Sequence, residues 1–222
     1  MEIVPGIHEI DTIAARSYLV VGDHLTLIDT GMSGSSSKIR DYVKNIVKRD
    51  ISDIKTIIIT HHHFDHIGSL DKLKKLTKAK VAVHKDDADY ISGEKSQEGP
   101  VFMKFMVKLF KIISRYKPVE PDIFLKDGDQ MGEYQVIHTP GHTKGSICLY
   151  NPQNKTMFAG DNLKYVKGKI EGPGASLLPE PEKYKESMEK LVKLDIEVIF
   201  CGHTKPVTSH ASEKLREYLK TL

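Results

Sequence analysis

The chain has 222 residues, a net charge of +3, and 39% hydrophobic against 28% charged residues, proportions that exclude a largely disordered chain or a coiled coil. At roughly 100–200 residues per domain the length allows one large domain or two small ones, and apolar runs such as Thr56-Ile57-Ile58-Ile59 fall far short of the ~18 residues a membrane span needs. Two cysteines cannot build a disulfide framework, and the start lacks the basic and apolar regions of a signal peptide, so the expectation is a cytoplasmic protein.

In chain order, the N-terminal part predicts short strands at Ile3–Ile10, Ser17–Val21 and Leu25–Asp29, with Gly22-Asp23 turning between the last two. Gly31–Ser37 is rich in Gly and Ser, and Ser35–Ser37 can cap a helix over Ile39–Val47. Lys55–Thr60 is an apolar, β-branched run expected as a buried strand, and it feeds His61–Gly68. A helix at Ser69–Thr77 and a strand at Val81–His84 follow. Leu70, Leu73 and Leu76 have helical spacing with lysines between them, which reads as a solvated face. A nucleic-acid footprint needs a denser basic stripe and a pI above about 9, against 8.6 here.

Gly99–Tyr116 predicts a helix with a broad apolar stripe, ended by Pro118 and Pro121. It forms a helical insert at about 99–117, serving as core, as a lid over an apolar substrate or as a homodimer contact. Strands at Tyr134–His138, Ser146–Tyr150 and Lys155–Ala159 come next, then a helix near Glu182–Leu194, a strand at Glu197–Cys201 and an amphipathic helix from about Ser212 to Leu219. The alternation argues for an α/β class with mixed sheets and helices packed outside. Nothing reads as a linker, so a single domain over 1–222 is expected.

The skewed count is histidine, at 11. Histidine is the commonest metal ligand. His61 and His63, two apart in extended backbone, point to one side and can grip one ion, while Asp65 and His66 follow after a further turn. Ligand types packed so densely at a strand end are unexpected as idle surface. Three more candidates each follow a small turn residue at a strand end: His142 in Thr139-Pro140-Gly141-His142, Asp161 in Gly160-Asp161 and His203 in Gly202-His203. Asp29, in Asp29-Thr30-Gly31, is either a turn residue or a hydrogen-bond partner that orients a ligand. His62 should face away from the ligands, and His84 reads as a structural histidine. Cys148 and Cys201 read as small buried hydrophobes.

The H-x-H-x-D-H motif, followed by Pro140-Gly141-His142-Thr143, Gly160-Asp161 and Gly202-His203, resembles the metallo-β-lactamase superfamily in order and over nearly the whole chain. The resemblance implies a four-layer αβ/βα sandwich with two mixed β-sheets flanked by helices. It implies that His61, His63 and His142 hold a first metal, that Asp65, His66 and His203 hold a second, and that Asp161 bridges them. Nitrogen and carboxylate ligands suit two divalent ions, Zn2+ first, with Fe or Mn2+ as alternatives.

A bridging carboxylate at 161 is typical of the glyoxalase II-like hydrolases, the lactonases, nucleases and flavodiiron-like proteins of that superfamily. The expected function is a binuclear metal-dependent hydrolase in which a metal-bridging hydroxide attacks a thioester, ester or lactone carbonyl, with Asp65 as the catalytic group that holds or shuttles its proton. About twenty residues follow His203, enough for one helix rather than the helical domain with which glyoxalase II binds glutathione, so another small-molecule substrate is expected. Tyr165, close after Asp161 as in the lactonases, is a substrate-binding candidate, and Lys164 and Lys167 in the same loop could meet a substrate carboxylate. Two alternatives stand beside this: a mononuclear iron sulfur dioxygenase acting on persulfide, and a phosphodiesterase or nuclease acting on small nucleotides. No nucleic-acid or membrane partner is expected.

Overall fold

The computed structural model describes residues 1–96 and 116–222, so the predicted apolar helix at Gly99–Tyr116 lies, apart from Tyr116, outside the described residues. The chain forms two compact units, Met1–Val83 with Ala88–Phe124, and His84–Asp87 with Leu125–Leu222.

The first unit is built on a seven-stranded mixed sheet whose strands lie side by side in sequence order. They are β1 (Glu2–Val4), β2 (Ile7–Asp11), β3 (Arg16–Val21), β4 (Leu25–Ile28), β5 (Ile54–Ile58), β6 (Lys80–His84) and β7 (Ile123–Leu125). The single strand expected over Ile3–Ile10 is instead a hairpin of β1 and β2. Pro5 has no amide proton for a ladder, and Gly6 at φ 77 turns the chain. β4, β5 and β6 run parallel. Ile57, Ile58 and Ile59 are almost wholly buried, as a parallel strand covered on both faces requires.

Among the described residues, the helices α1 (Ser35–Tyr42), the short α2 (Phe64–Ile67) and α3 (Leu70–Thr77) accompany this sheet. α1 begins four residues before the predicted Ile39 and passes into a π-helical turn at Val43–Val47, which stops at Lys48 in the left-handed region, φ 60. α3 buries Leu70 and Leu73 and leaves Leu76 exposed; its lysines face solvent or pair with carboxylates, as Lys74 does with Asp122 at 2.7 Å. α4 (Lys85–Ser92) was not expected, since three acidic residues in its eight weaken the apolar period.

The second unit holds a five-stranded sheet in the order β14-β11-β10-β9-β8. Its strands are β8 (Gln130–Met131), β9 (Tyr134–His138), β10 (Ile147–Asn151), β11 (Thr156–Gly160) and β14 (Val198–Cys201). Beside it lie the hairpin β12 (Lys164–Val166) and β13 (Lys169–Glu171) and the helices α5 (Pro181–Leu191) and α6 (Ala211–Leu219). Pro181 opens α5, where its missing N–H costs nothing. Tyr184, Met188 and Leu191 of α5 and Leu215 of α6 join Met157, Ile199 and the two cysteines in this unit's core. The α/β class with mixed sheets and flanking helices is thus what the chain adopts. No helix among the described residues is long and apolar enough to cross a membrane.

Candidate metal centre

Topology decides where the candidate ligands fall. In the first unit β4 and β5 are parallel, so Asp29, after β4, and Thr60-His61, after β5, emerge at the same sheet edge. In the second unit β11 and β14 are parallel while β10 runs antiparallel to both β9 and β11. The β9–β10 connection with His142, the end of β11 with Asp161 and the end of β14 with His203 therefore share one edge. Sites in open α/β sheets lie beyond the carboxyl ends of such strands.

Within the first unit, His61, His63, Asp65 and His66 are brought together. The His61 ring lies 4.8 Å from that of His63 and 4.1 Å from that of His66, centroid to centroid. Asp65 Oδ2 is 4.0 Å from His66 Nε2. His63 caps α2 in extended backbone, and the single helical turn after it swings Asp65 and His66 round. His61 and His66 are buried, while His63 and Asp65 are partly open to solvent.

Asp29 organises this group and is also a turn residue: it sits at φ 57, a left-handed conformation that Asp tolerates better than most residues. Its Oδ1 accepts from the Thr60 amide at 2.8 Å, and its Oδ2 accepts from the Thr60 hydroxyl at 2.7 Å and from His66 Nδ1 at 2.8 Å. Because the Thr60 hydroxyl spends its proton on Asp29, His61 Nδ1, 3.1 Å from that oxygen, must be the donor of the pair. Both rings thus carry their proton on Nδ1 and keep the Nε2 lone pair for a ligand role.

Within the second unit the same logic holds for His142, whose Nδ1 donates to the Leu177 carbonyl at 2.9 Å. A carbonyl can only accept, so Nε2 again keeps its lone pair. Asp161 Oδ2 lies between two imidazoles, 3.0 Å from His203 Nε2 and 3.6 Å from His142 Nε2. A bulge at Gly160, φ 51, ends β11 and aims Asp161 out of the sheet. The following Asn162 is tied down from several sides: its amide donates to Thr139 Oγ1 at 3.0 Å, and its carbonyl accepts from Tyr184 Oη at 2.7 Å. Each unit thus offers imidazole and carboxylate donors, three and one in the first and two and one in the second, of the types that fit divalent transition ions.

The remaining candidates have contacts of their own, and the Tyr165 amide donates to Thr204 Oγ1, beside His203, at 2.8 Å. Tyr165 sits in β12 with its ring half-buried against the second unit's core and the Lys214 ammonium 5.8 Å from its centroid. Lys164 is half-buried and Lys167 exposed. His62 stacks on Tyr90 at 4.1 Å and 12°. His84, Asp86 and His138 also bring ligand atoms within 4.8 Å of one another. The rings of His84 and His138, however, lie flat on each other at 3.9 Å and 12°, so their lone pairs run parallel instead of converging. That geometry makes a stacked pair and not a chelate. Burial, then the neighbouring His138, pushes the His84 pKa down to about 4. Thr60, the Leu177 carbonyl and Tyr184 are contacts the sequence reading missed. Only Thr60, beside His61, had a positional signal.

Comparison with known proteins identifies the family and the fold. A family model described as the metallo-beta-lactamase superfamily matches residues 11–203. A Bacillus subtilis (strain 168) protein named "Probable metallo-hydrolase YflN" is 28% identical over 93% of this chain and 87% of its own length. A hydroxyacylglutathione hydrolase of Bartonella henselae is 32% identical over 72% of this chain, which spans about half (53%) of that relative. Among solved structures, a metallo-beta-lactamase family protein from Thermus thermophilus superposes with a TM-score of 0.73 at 23% identity, over 99% of this chain and 79% of the other. A class B3 di-zinc metallo-beta-lactamase from an Alaskan soil metagenome does so at 0.74 and 20%, over 100% of this chain and 90% of its own. At those identities the structures speak to the fold alone.

Proposed function

The chain belongs to the metallo-beta-lactamase superfamily, and from that premise we propose that it is a binuclear metal-dependent hydrolase of carbonyl esters: thioesters, esters or lactones. In this reading His61, His63 and His142 would hold one ion and Asp65, His66 and His203 a second, with Asp161 a ligand common to both. The observation that carries it is Asp161 Oδ2, set between His142 Nε2 and His203 Nε2 at 3.6 and 3.0 Å. A carboxylate oxygen near two imidazoles that the reading assigns to different ions supports a ligand shared by both.

Ions bound there, Zn2+ before Fe or Mn2+, would supply Lewis-acid polarisation of a carbonyl and a nucleophile at neutral pH. The protein's own residues do the rest. Asp29 and Leu177 fix the tautomers of His66 and His142. Asp65, partly open to solvent and 4.0 Å from His66 Nε2, would hold the proton released as the carbonyl is attacked. Tyr165, with Lys164 and Lys167 in the segment after Asp161, would meet the substrate. The substrate is a small molecule and the setting cytoplasmic; Cys148 and Cys201 are both buried thiols.

The experiment is a substrate panel on the purified, metal-loaded chain: aliphatic thioesters, lactones and a chromogenic phosphodiester, with oxygen uptake on persulfide measured in parallel. Thioester or lactone turnover that disappears in His61→Ala/His63→Ala supports the reading. Turnover of the phosphodiester alone, or oxygen uptake with one iron per chain, would replace it by the nuclease or the dioxygenase alternative.

A further inference from the structure

The β9–β10 connection that carries His142 is gripped from α4. Asp87, in the first turn of α4, is fully buried (0% exposed). Its Oδ2 accepts from the Thr143 hydroxyl at 2.9 Å and its Oδ1 from the Gly145 amide at 2.8 Å. These donors lie one and three residues after His142 and are joined by Ser146. The Ser146 hydroxyl oxygen accepts from the Thr143 amide at 3.1 Å and lies 2.8 Å from Thr143 Oγ1. Since Thr143 gives its proton to Asp87, the Ser146 hydroxyl is the donor there, and the chain Ser146–Thr143–Asp87 has one direction. Fit is close: a Cβ on Gly145 would stand 2.6 Å from Asp87 Cγ, Oδ1 and N. A buried carboxylate is costly unless charge-assisted hydrogen bonds compensate it, and these two compensating donors belong to one turn.

We propose that Asp87 is a positioning residue for the ligand His142: it locks the Thr143–Gly145 turn so that the imidazole, held through Nδ1 by Leu177, keeps Nε2 on the Asp161 carboxylate. The inference rests on the reading of His142 as a metal ligand. It adds a residue that never touches the ion or the substrate, acting through the turn that directly follows the ligand. Partners of this indirect kind commonly govern metal affinity.

The test is zinc affinity of the full chain, by competition with a chromophoric chelator, with the visible spectrum of the cobalt(II)-loaded protein and thermal melts of the metal-free proteins. The variants are Asp87→Asn, Thr143→Val, Thr143→Ser and Ser212→Ala. Ser212 is the fold-only control: its hydroxyl accepts from the Ile196 amide at 2.8 Å on α6. Asp87→Asn and Thr143→Val should weaken zinc binding by roughly 10–100-fold and shift the cobalt bands. Thr143→Ser, which keeps the hydroxyl, should bind like the unaltered chain, and Ser212→Ala should lower Tm with affinity unchanged. Unaltered affinity and spectrum in both Asp87→Asn and Thr143→Val overturns the proposal, as does an equal loss in Ser212→Ala. If Asp87→Asn fails to fold, the contrast between Thr143→Val and Thr143→Ser decides. An unaltered chain that binds no zinc or cobalt removes the functional reading as well, whereas tight binding with indifferent variants removes this inference alone.

Discussion

Asp29→Asn is the most informative single change at the candidate centre. Asn tolerates the left-handed backbone that Asp29 adopts, φ 57, so the turn survives. Oδ1 remains an acceptor for the Thr60 amide. The other oxygen becomes an amide donor facing the Thr60 hydroxyl and His66 Nδ1–H. The hydroxyl can rotate; the ring cannot, and relieves the donor–donor clash only by moving its proton to Nε2. That tautomer has no lone pair on the nitrogen assigned to the ion. Loss of such a partner typically costs 10–100-fold in metal affinity, or about 1.4–2.7 kcal/mol. A lost charge-assisted hydrogen bond costs about 2 kcal/mol of stability, some 4–8 °C in Tm for a chain of this size. Long-range 1H–15N correlation spectra of the metal-free protein report the tautomer directly, and chelator competition reports the affinity. An Asn variant that keeps His66 protonated on Nδ1 and binds metal like the unaltered chain refutes the reasoning.

Three further outcomes follow from particular contacts. The His84 pKa, lowered to about 4 by burial first and His138 next, lies below the 6.5 of an unfolded chain. The unfolded state therefore binds the proton first as pH falls. Stability present above pH 6.5 declines down to pH 4, by about 3 kcal/mol at most. Urea midpoints of the metal-free chain at pH 7 and 4.5 should show this slope, and a slope unchanged in His84→Gln contradicts it. Gly141→Ala puts a side chain at φ 136 with its Cβ 2.4–2.8 Å from Tyr184 Cβ, Cα and N; a loss of about 3 kcal/mol is expected, and a variant within about 1 kcal/mol of the parent speaks against the fit. Tyr184→Phe removes the hydroxyl that donates to Asn162 O at 2.7 Å, and denaturant titration should show a cost of about 1–2 kcal/mol.

Where side-chain chemistry and strand ends coincide, the chain is readable. Buried β5 stands out as an unbroken β-branched run, and His142, Asp161 and His203 each follow a strand and a small residue, because a loop leaving a sheet edge needs room to bring its side chain back over that edge. The partition of the donors into two groups of neighbours follows the same logic. What escaped the sequence was anything depending on non-local approach. Leu177 orients His142 through its carbonyl, which no side-chain pattern announces. Tyr184 reads as an apolar position of α5, and only its hydroxyl's distance to Asn162 reveals a second role. Asp87 looks like one acid among several in Lys85-Asp86-Asp87-Ala88-Asp89, and only the fold buries it. Short elements were also hidden: β1 and β2 read as one strand because apolar residues continue on both sides of Pro5-Gly6. β12 and β13, three residues each, are too short to show a period.

The central claim, that the chain holds a binuclear metal centre built from both ligand groups, is tested most directly by metal analysis. The measurement is elemental mass spectrometry of the protein after saturation with zinc and exhaustive buffer exchange, on the unaltered chain and on His203→Ala. The account predicts two zinc ions per chain, falling to one in His203→Ala. One ion or none in the unaltered chain, or two retained in the variant, contradicts it.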